Sequence, residues 1–247
     1  MKKAITGFFM SWGMFCAIPC PLKIWDENAK LYSVVMLPVL GLVIGAVWAA
    51  AAFLLSFLNL PQLLLAAILT ICPALISGFI HLDGFMDCCD AILSRRDLAE
   101  RQRILKDSHT GAFAVISVVI LFLLQFGAFS DFAGENVWML VFLPSAARCA
   151  SAVAVLSFQP IGHSGYAKAF ENGKKGYKIA AWLILAVLAI VPVVIFGVSG
   201  VFAVIAQIAA FLAILYGRSQ LGGMSGDISG YGITISELVG AIAIAIL

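Results

Sequence analysis

Residues 81–111 read HLDGFMDCCDAILSRRDLAERQRILKDSHTG and form a dense polar segment between long apolar stretches. They contain six of the thirteen acidic residues, five of the fifteen lysines and arginines, and two of the three histidines. Asp83, Asp87 and Asp90 follow at i, i+4 and i+7, so on a helix they lie within about 60° of arc. Like charges at this spacing repel by roughly a few tenths of a kcal/mol. A divalent cation reverses that repulsion, so the order favours a metal or pyrophosphate site over a solvated loop between membrane helices.

The composition indicates the class of protein. Of the 247 residues, 63% are hydrophobic and 11% are charged, against about 25% charged in soluble proteins. The mean hydropathy is +1.07, and the length allows roughly six to eight membrane spans of about 20 residues. We therefore expect an all-α polytopic membrane protein that forms one integral-membrane domain over residues 1–247. The net charge of +2, with no basic patch, predicts no nucleic-acid partner.

The apolar runs predict about seven transmembrane helices and an N-terminal interfacial helix. Residues 1–22 begin with two lysines and are expected to lie on the bilayer, with Trp12 and the phenylalanines turned inward. Three polar segments separate the spans: the helical segment 81–111, a loop at 158–178 and a Gly-rich loop at 217–232. The spans are expected at 32–57, 61–80, 111–129, 136–157, 179–196, 200–217 and 233–247.

The lysines and arginines give the orientation of these spans. In chain order, the segments outside the seven spans hold four, none, five, none, four, none and one of them, and Arg148 lies within a span. This alternation follows the positive-inside rule. The N-terminus and all three polar segments are therefore predicted on the cytoplasmic side, so every candidate for chemistry faces the same compartment.

Other residues of the polar segment are candidates for the same site. Gly84 would allow a backbone or a phosphate to approach closely. If the segment folds as a helical hairpin, Asp107 returns as a fourth carboxylate and Lys106 contacts a phosphate; an ordinary interfacial lysine remains an equal alternative. His81 and His109 flank the segment, where each fits a proton acceptor or a structural hydrogen bond equally well.

Candidates also occur farther along the chain. Residues 222–227 read GGMSGD, and the amides of such a loop, which begins with Gly222 and Gly223 and ends with Asp227, are able to hold phosphate oxygens. A Gly-rich connector between spans is the alternative interpretation. Arg148 and Glu237 are ionisable groups within or near spans, where burying a charge costs free energy and such residues usually have a function. Arg148 needs an anionic partner, either a carboxylate of the polar segment or a substrate phosphate, unless it reaches to the interface.

Taken together, these motifs resemble the cobalamin synthase family, the adenosylcobinamide-GDP ribazoletransferases. Cys88 and Cys89 replace the family's usual small residues, and residues 231–233 replace an Ala-rich run, but no carboxylate is lost. The resemblance extends over nearly the whole chain. It rests on HLDGFMDCCDA (81–91), ILKD (104–107), GAF (111–113), AIPCP (17–21), GGMSGD (222–227) and Glu237.

The resemblance implies a reaction and its participants. A hydroxyl of α-ribazole, or of its 5′-phosphate, would displace GMP from adenosylcobinamide-GDP with Mg²⁺ as cofactor. Asp83, Asp87 and Asp90 would bind Mg²⁺, with Asp107 or Asp227 as a further ligand or base. The resemblance also implies a bacterial or archaeal plasma membrane and leaves a homo-oligomer open. Lys106, as a catalytic residue, and Arg148 would offset the charge that develops during the transfer. The expected contacts to substrate are His81, Gly84, His109, Arg148, Gly222, Gly223 and Glu237.

Two other classes of protein share parts of this pattern. CDP-alcohol phosphotransferases and membrane prenyltransferases have similarly spaced carboxylates, but they lack the Lys-Asp-x-x-x-Gly-Ala-Phe continuation. An ion-coupled transporter would use Asp87, Arg148 and Glu237 as a charge pathway near the middle of the membrane. Clustering of the acidic residues at one face favours an enzyme over the transporter.

Overall fold

The computed structural model describes residues 2–132, 134–162 and 175–247, without the side chains of 134–136. Within these ranges the chain is helical and has no strand, which confirms the all-α prediction. Most of the predicted loop 158–178 lies outside the described residues. The α-helices are α1 Lys2–Phe15, α2 Lys30–Val35, α3 Leu37–Ser56, α4 Gln62–Ile76, α5 Ile80–Leu93, α6 Leu98–Ile104, α7 Ala112–Phe129, α8 Leu143–Ser157, α9 Lys175–Phe196, α10 Phe202–Leu221 and α11 Gly226–Ile246.

Among the described residues, five helical runs are long and apolar enough to cross a membrane, or six if α4 and α5 count as one bent span. The predicted number of seven is not reached on this count. The chain is nevertheless a multi-pass membrane protein by the length and hydropathy of these helices.

The longest run, Lys175–Leu221, contains 47 residues and would extend about 70 Å if it were straight. It folds back on itself instead. The rings of Trp182 and Phe211 stack with centroids 5.7 Å apart, and Gln207 Nε2 donates to the carbonyl of Leu185 at 3.1 Å. The run is therefore an antiparallel hairpin of α9 and α10, joined by a 3₁₀ turn at Gly197–Val201.

A sharp bend between α4 and α5 orients the acidic helix. Gly78 and Phe79 both have left-handed backbone conformations, with φ of 65° and 63°, and the two helix axes differ by 93°. Glycine adopts this conformation freely, whereas for phenylalanine it costs roughly 1–3 kcal/mol. The predicted second span, 61–80, thus ends as a helix at Ile76, and α5 leaves it in a new direction.

Helix α8 forms the buried centre of the fold and packs against α3, α9, α10 and α11. Its residues are small or aliphatic apart from Arg148, which allows neighbouring helices to approach closely. Ser145 Oγ donates to the carbonyl of Pro38 at 2.7 Å, and Gly41 packs against the backbone at Ser145. These contacts fix α3 against α8.

Two predicted boundaries are wrong. The Gly-rich loop expected at 217–232 is largely helical, because α10 continues to Leu221 and α11 begins at Gly226. The final span is accordingly 21 residues long rather than a short 233–247. The N-terminal helix ends at Phe15 rather than Leu22, before the two prolines of AIPCP, which cannot continue a helix.

Candidate active site

Close contact between α5 and α11 assembles the acidic site. A Cβ at Gly84 would lie 2.8 Å from the Cα of Asp227, so only glycine allows the two backbones to touch there. Gly230 lies in the same way against the carbonyl of His81, and Thr234 Oγ1 donates to that carbonyl at 3.1 Å. Small residues on both helices therefore bring Asp227 beside the acidic face of α5.

Two of the carboxylates, Asp83 and Asp227, line a cavity of about 320 Å³. Asp83 is exposed and Asp87 is half-buried, and the negative charges of Asp83, Asp227 and Asp90 all act on Asp87. The structure thus brings together the three spaced aspartates of the polar segment and the distant Asp227. The cavity is lined by Met14, Phe15, Leu37, Ile80, His81, Asp83, Gly226, Asp227 and Ser229.

Asp90 has a further contact that the other aspartates lack. Its Oδ2 accepts the backbone N–H of Gly111 at 2.5 Å, and its Oδ1 accepts that of Ala114 at 3.1 Å. These donors belong to the start of α7, where the first N–H groups of a helix have no partner within the helix. Asp90 therefore caps α7 from a different helix, with both oxygens engaged. A Cβ at Gly111 would overlap the Asp90 carboxylate, which explains the glycine of the GAF motif.

The residues at this site suit Mg²⁺ by their chemistry, because carboxylate oxygens are the ligands that it prefers. Among the described residues, no three His, Cys, Asp or Glu side chains converge closely enough to hold a metal ion by themselves. Mg²⁺ commonly binds through one or two carboxylates, with water and substrate phosphates completing its shell. One or two of Asp83, Asp87 and Asp227 would supply such a partial set, whereas both oxygens of Asp90 already accept backbone hydrogen bonds.

Arg148 and Glu237 form a buried ion pair. Arg148 Nη1 contacts Glu237 Oε1 at 2.6 Å and donates to the carbonyl of Pro144 at 2.9 Å. The side-chain exposures are 0% and 12%. Among the described residues the anionic partner of Arg148 is thus Glu237, whereas the sequence suggested a carboxylate of the polar segment or a substrate phosphate. Arg148 Nε and Nη2 and His81 Nε2 have no hydrogen-bond partner among the described residues.

Lys106, Asp107 and His109, like Asp87 and Asp90, do not line the carboxylate cavity. Lys106 is exposed. Asp107 Oδ1 and His109 Nδ1 are 2.7 Å apart, and Arg103 lies 3.9 Å from the other oxygen of Asp107. The side-chain hydrogen bond with His109, supported by the backbone N–H of the same residue, lowers the pKa of Asp107. A carboxylate with a lowered pKa is a weak general base at neutral pH.

The backbone structure explains why positions 222 and 223 are glycines. Gly222, at φ 79°, ends α10 in the left-handed conformation typical of a helix C-terminus. Gly223 packs against the backbone of Pro160 and Ile161, and the amide of Ile161 donates to the carbonyl of Met224 at 2.9 Å. The described structure therefore accounts for both glycines without a bound phosphate.

Sequence reasoning missed several contributors to the cavity. Met14 and Phe15 reach it from α1, where the ring of Phe15 stacks on His81 with centroids 5.8 Å apart. Ser229 lines it from α11 and is hydrogen-bonded to Ser151. The Gly226-x-x-x-Gly230 spacing was a usable signal, because small residues four apart mark a close helix contact in membranes.

The fold and the site define a multi-pass membrane protein with a carboxylate-rich cavity at one end of its helices. The family described as cobalamin-5-phosphate synthase matches residues 7–245. This chain belongs to that family, which confirms the resemblance seen in the sequence. No solved structure matches the chain.

Curated relatives agree with this assignment over at least 95% of their length. A Clostridium perfringens protein named adenosylcobinamide-GDP ribazoletransferase is 38% identical, with 100% of both chains covered. A Clostridium botulinum protein of the same name is 39% identical over 97% of both chains. A Lachnoclostridium phytofermentans protein of that name is 32% identical, covering 99% of this chain and 95% of its own.

Proposed function

We propose that this chain transfers the adenosylcobinamide-phosphate group of adenosylcobinamide-GDP to α-ribazole or its 5′-phosphate. The hydroxyl oxygen of the ribazole forms a bond to the phosphorus that carries cobinamide. The bond from that phosphorus to the bridging oxygen breaks, and GMP leaves with the electron pair. The hydroxyl proton passes to solvent or to a carboxylate, and the products are adenosylcobalamin, or its 5′-phosphate, and GMP.

The contact between α5 and α11 is the observation that carries this proposal. It brings Asp227 near Asp83 and Asp87, at a cavity where a pyrophosphate would meet the carboxylates of Asp83 and Asp227. Like-charged groups this close favour a bound cation. Mg²⁺, if bound there, would neutralise charge on the pyrophosphate and on the departing GMP.

The roles of the protein residues follow from their positions. One or two of Asp83, Asp87 and Asp227 would hold Mg²⁺, which would orient the pyrophosphate. Asp90 caps α7 and thereby fixes the face of α5 that carries the first two. The carboxylate that receives the proton contributes little if the transition state is loose, as in most phosphoryl transfers.

For the topology, we propose seven crossings in a bacterial or archaeal plasma membrane, with the site on the cytoplasmic side. Counting α4 with α5 as one bent span, and α9 and α10 as two, gives this number. The antiparallel contacts of α9 and α10 support separate crossings. The cationic side chains of the segments outside the spans support the orientation.

The direct test is an assay of membranes that carry the protein, with adenosylcobinamide-GDP, α-ribazole and Mg²⁺. We expect product from the parent, loss of product in Asp83→Asn, and loss on chelation of Mg²⁺. Asp131→Asn, which changes an exposed acid after α7, is the matched control and keeps activity. If folded parent yields no product with either form of the ribazole but reacts with a CDP-linked alcohol, the proposal is wrong.

A further inference from the structure

A second cavity, of about 460 Å³, lies beside the carboxylate cavity and is lined by the N-terminal segment. Met14 belongs to the lining of both cavities, so they are neighbours along α1. The volume falls within the range of about 300–1,000 Å³ typical of small-molecule sites. The roles assigned so far do not use this cavity.

The lining combines an apolar wall with one cationic side chain. Phe9, Met10 and Ile18 supply apolar surface, and Trp25 adds an aromatic ring that is 57% exposed. Lys23 is exposed and has no ion-pair partner among the described residues. This arrangement suits a ligand with a planar apolar group and a separate anionic group.

Of the two substrates of the proposed reaction, the ribazole has this chemistry. Adenosylcobinamide-GDP carries a corrin far larger than the cavity. Its guanine presents several donors and acceptors, which would need polar partners if they were buried. The ribazole instead has a dimethylated benzimidazole base, largely apolar, joined to a ribose that bears a phosphate at its 5′ position in one form.

We propose that this N-terminal cavity binds the ribazole substrate, with its base against the apolar wall and its 5′-phosphate at Lys23. The inference rests on the proposed transfer reaction and locates one of its two substrates beside the carboxylates. The shared Met14 wall keeps the bound ribazole next to the carboxylates.

Two substitutions separate the apolar and anionic parts of the site. Gly13 lines the cavity, and a Cβ built there meets no atom within 4 Å. Gly13→Leu therefore has room at its Cβ, is expected to extend into the cavity, and also raises helix propensity. Lys23→Gln removes only the charge. Gly127→Leu is the matched control, because a Cβ at that position on α7 also meets no atom within 4 Å.

The experiment measures binding of α-ribazole and of its 5′-phosphate to the purified full chain by equilibrium dialysis, alongside turnover. We expect Lys23→Gln to weaken binding of the 5′-phosphate form about tenfold, the size of one lost charge-assisted contact, without affecting α-ribazole. We expect Gly13→Leu to weaken both forms by about tenfold or more, and Gly127→Leu to weaken neither.

Other outcomes overturn the inference. Equal effects of Lys23→Gln on both forms would show that Lys23 does not contact the phosphate. Unchanged ribazole binding in both variants, with reduced retention on anionic lipid vesicles, would make the cavity a lipid site. If both variants bind the ribazole and form product as the parent does, this inference is wrong and the proposed function stands. If the parent binds the ribazole but forms no product, the proposed function is wrong instead.

Discussion

Replacement of Asp90 separates its capping role from a metal-binding role. In Asp90→Ala, the amides of Gly111 and Ala114 lose an ionised acceptor at 2.5 Å and 3.1 Å, in a place where Asp90 is only 9% exposed. Leaving buried donors unpaired costs about 1–3 kcal/mol each, so a loss of about 3 kcal/mol is expected. Asp90→Asn keeps an oxygen that accepts at least one of the bonds, and asparagine is a good N-cap, so its loss is about 1 kcal/mol.

These losses are measurable as thermal unfolding of the purified protein. At about 2–4 °C per kcal/mol for a chain of this size, Asp90→Ala lowers Tm by about 6–12 °C and Asp90→Asn by about 2–4 °C. Asp90→Asn is expected to retain transferase activity and an unchanged Mg²⁺ dependence. Asp83→Asn is the converse control, expected to lose activity with Tm unchanged.

The opposite pattern would refute the reasoning. If Asp90→Asn keeps its Tm but loses activity or requires much more Mg²⁺, Asp90 is a metal ligand, as the spacing in the sequence first suggested. Gly111→Ala tests the same contact from the other side, because its added methyl group would overlap the carboxylate. An unchanged Tm in Gly111→Ala would contradict the capping geometry.

Three further predictions concern other parts of the site. Glu237→Gln leaves the buried charge of Arg148 uncompensated and should cost about 3–5 kcal/mol in an unfolding titration, whereas replacing both by leucine should recover most of that loss. His109→Ala should raise the pKa of Asp107 towards 3.8 in a ¹³C carboxyl titration. Because the fold lowers the pKa of Asp107, its contribution to folding stability is complete above the ordinary pKa of 3.8 and is lost only as the pH falls through the lowered pKa. Activity between about pH 6 and 8 should therefore not change. Gly84→Ala should abolish turnover in the membrane assay by separating α5 from α11; full activity would contradict the close contact.

The sequence predicts the helices well because apolar length and periodicity are local properties. The third span, expected at 111–129, is observed as Ala112–Phe129. The pair expected at 179–196 and 200–217 corresponds to the helices Lys175–Phe196 and Phe202–Leu221, the second of which begins two residues later than expected. The sequence predicts too short a last span, because glycines in a polar stretch are typical of a loop. In a membrane, those glycines serve helix packing instead, so composition alone gave the wrong structure there.

The sequence does not predict which side chains of the site contact each other, because those contacts join distant parts of the chain. Asp90 and Gly111 belong to two recognisable motifs, yet nothing in either shows that one caps the other. Arg148 required an anion, and the sequence contained several, so choosing Glu237 needed the packing of α8 against α11. The carboxylate spacing predicted a site on one face of α5, but only the structure shows which oxygens are already occupied.

The buried ion pair has a physical connection to the carboxylates. Asp227 and Glu237 are ten residues apart on α11, or about 15 Å along the helix. Repulsion between Asp227 and the aspartates of α5 acts to separate the two helices. The pair of Glu237 with Arg148, and the hydrogen bond from Thr234 to the carbonyl of His81, oppose that separation.

A charge pair inside a membrane protein is expensive and contributes little net stability compared with well-packed apolar residues. The ion pair instead fixes the position of α11 along its neighbours. A shift of α11 by one turn, about 5.4 Å, would break the pair and move Asp227 away from Gly84. A double apolar replacement of Arg148 and Glu237 should therefore restore stability more fully than activity. Equal recovery of both would show that packing of the glycines alone sets the position of Asp227.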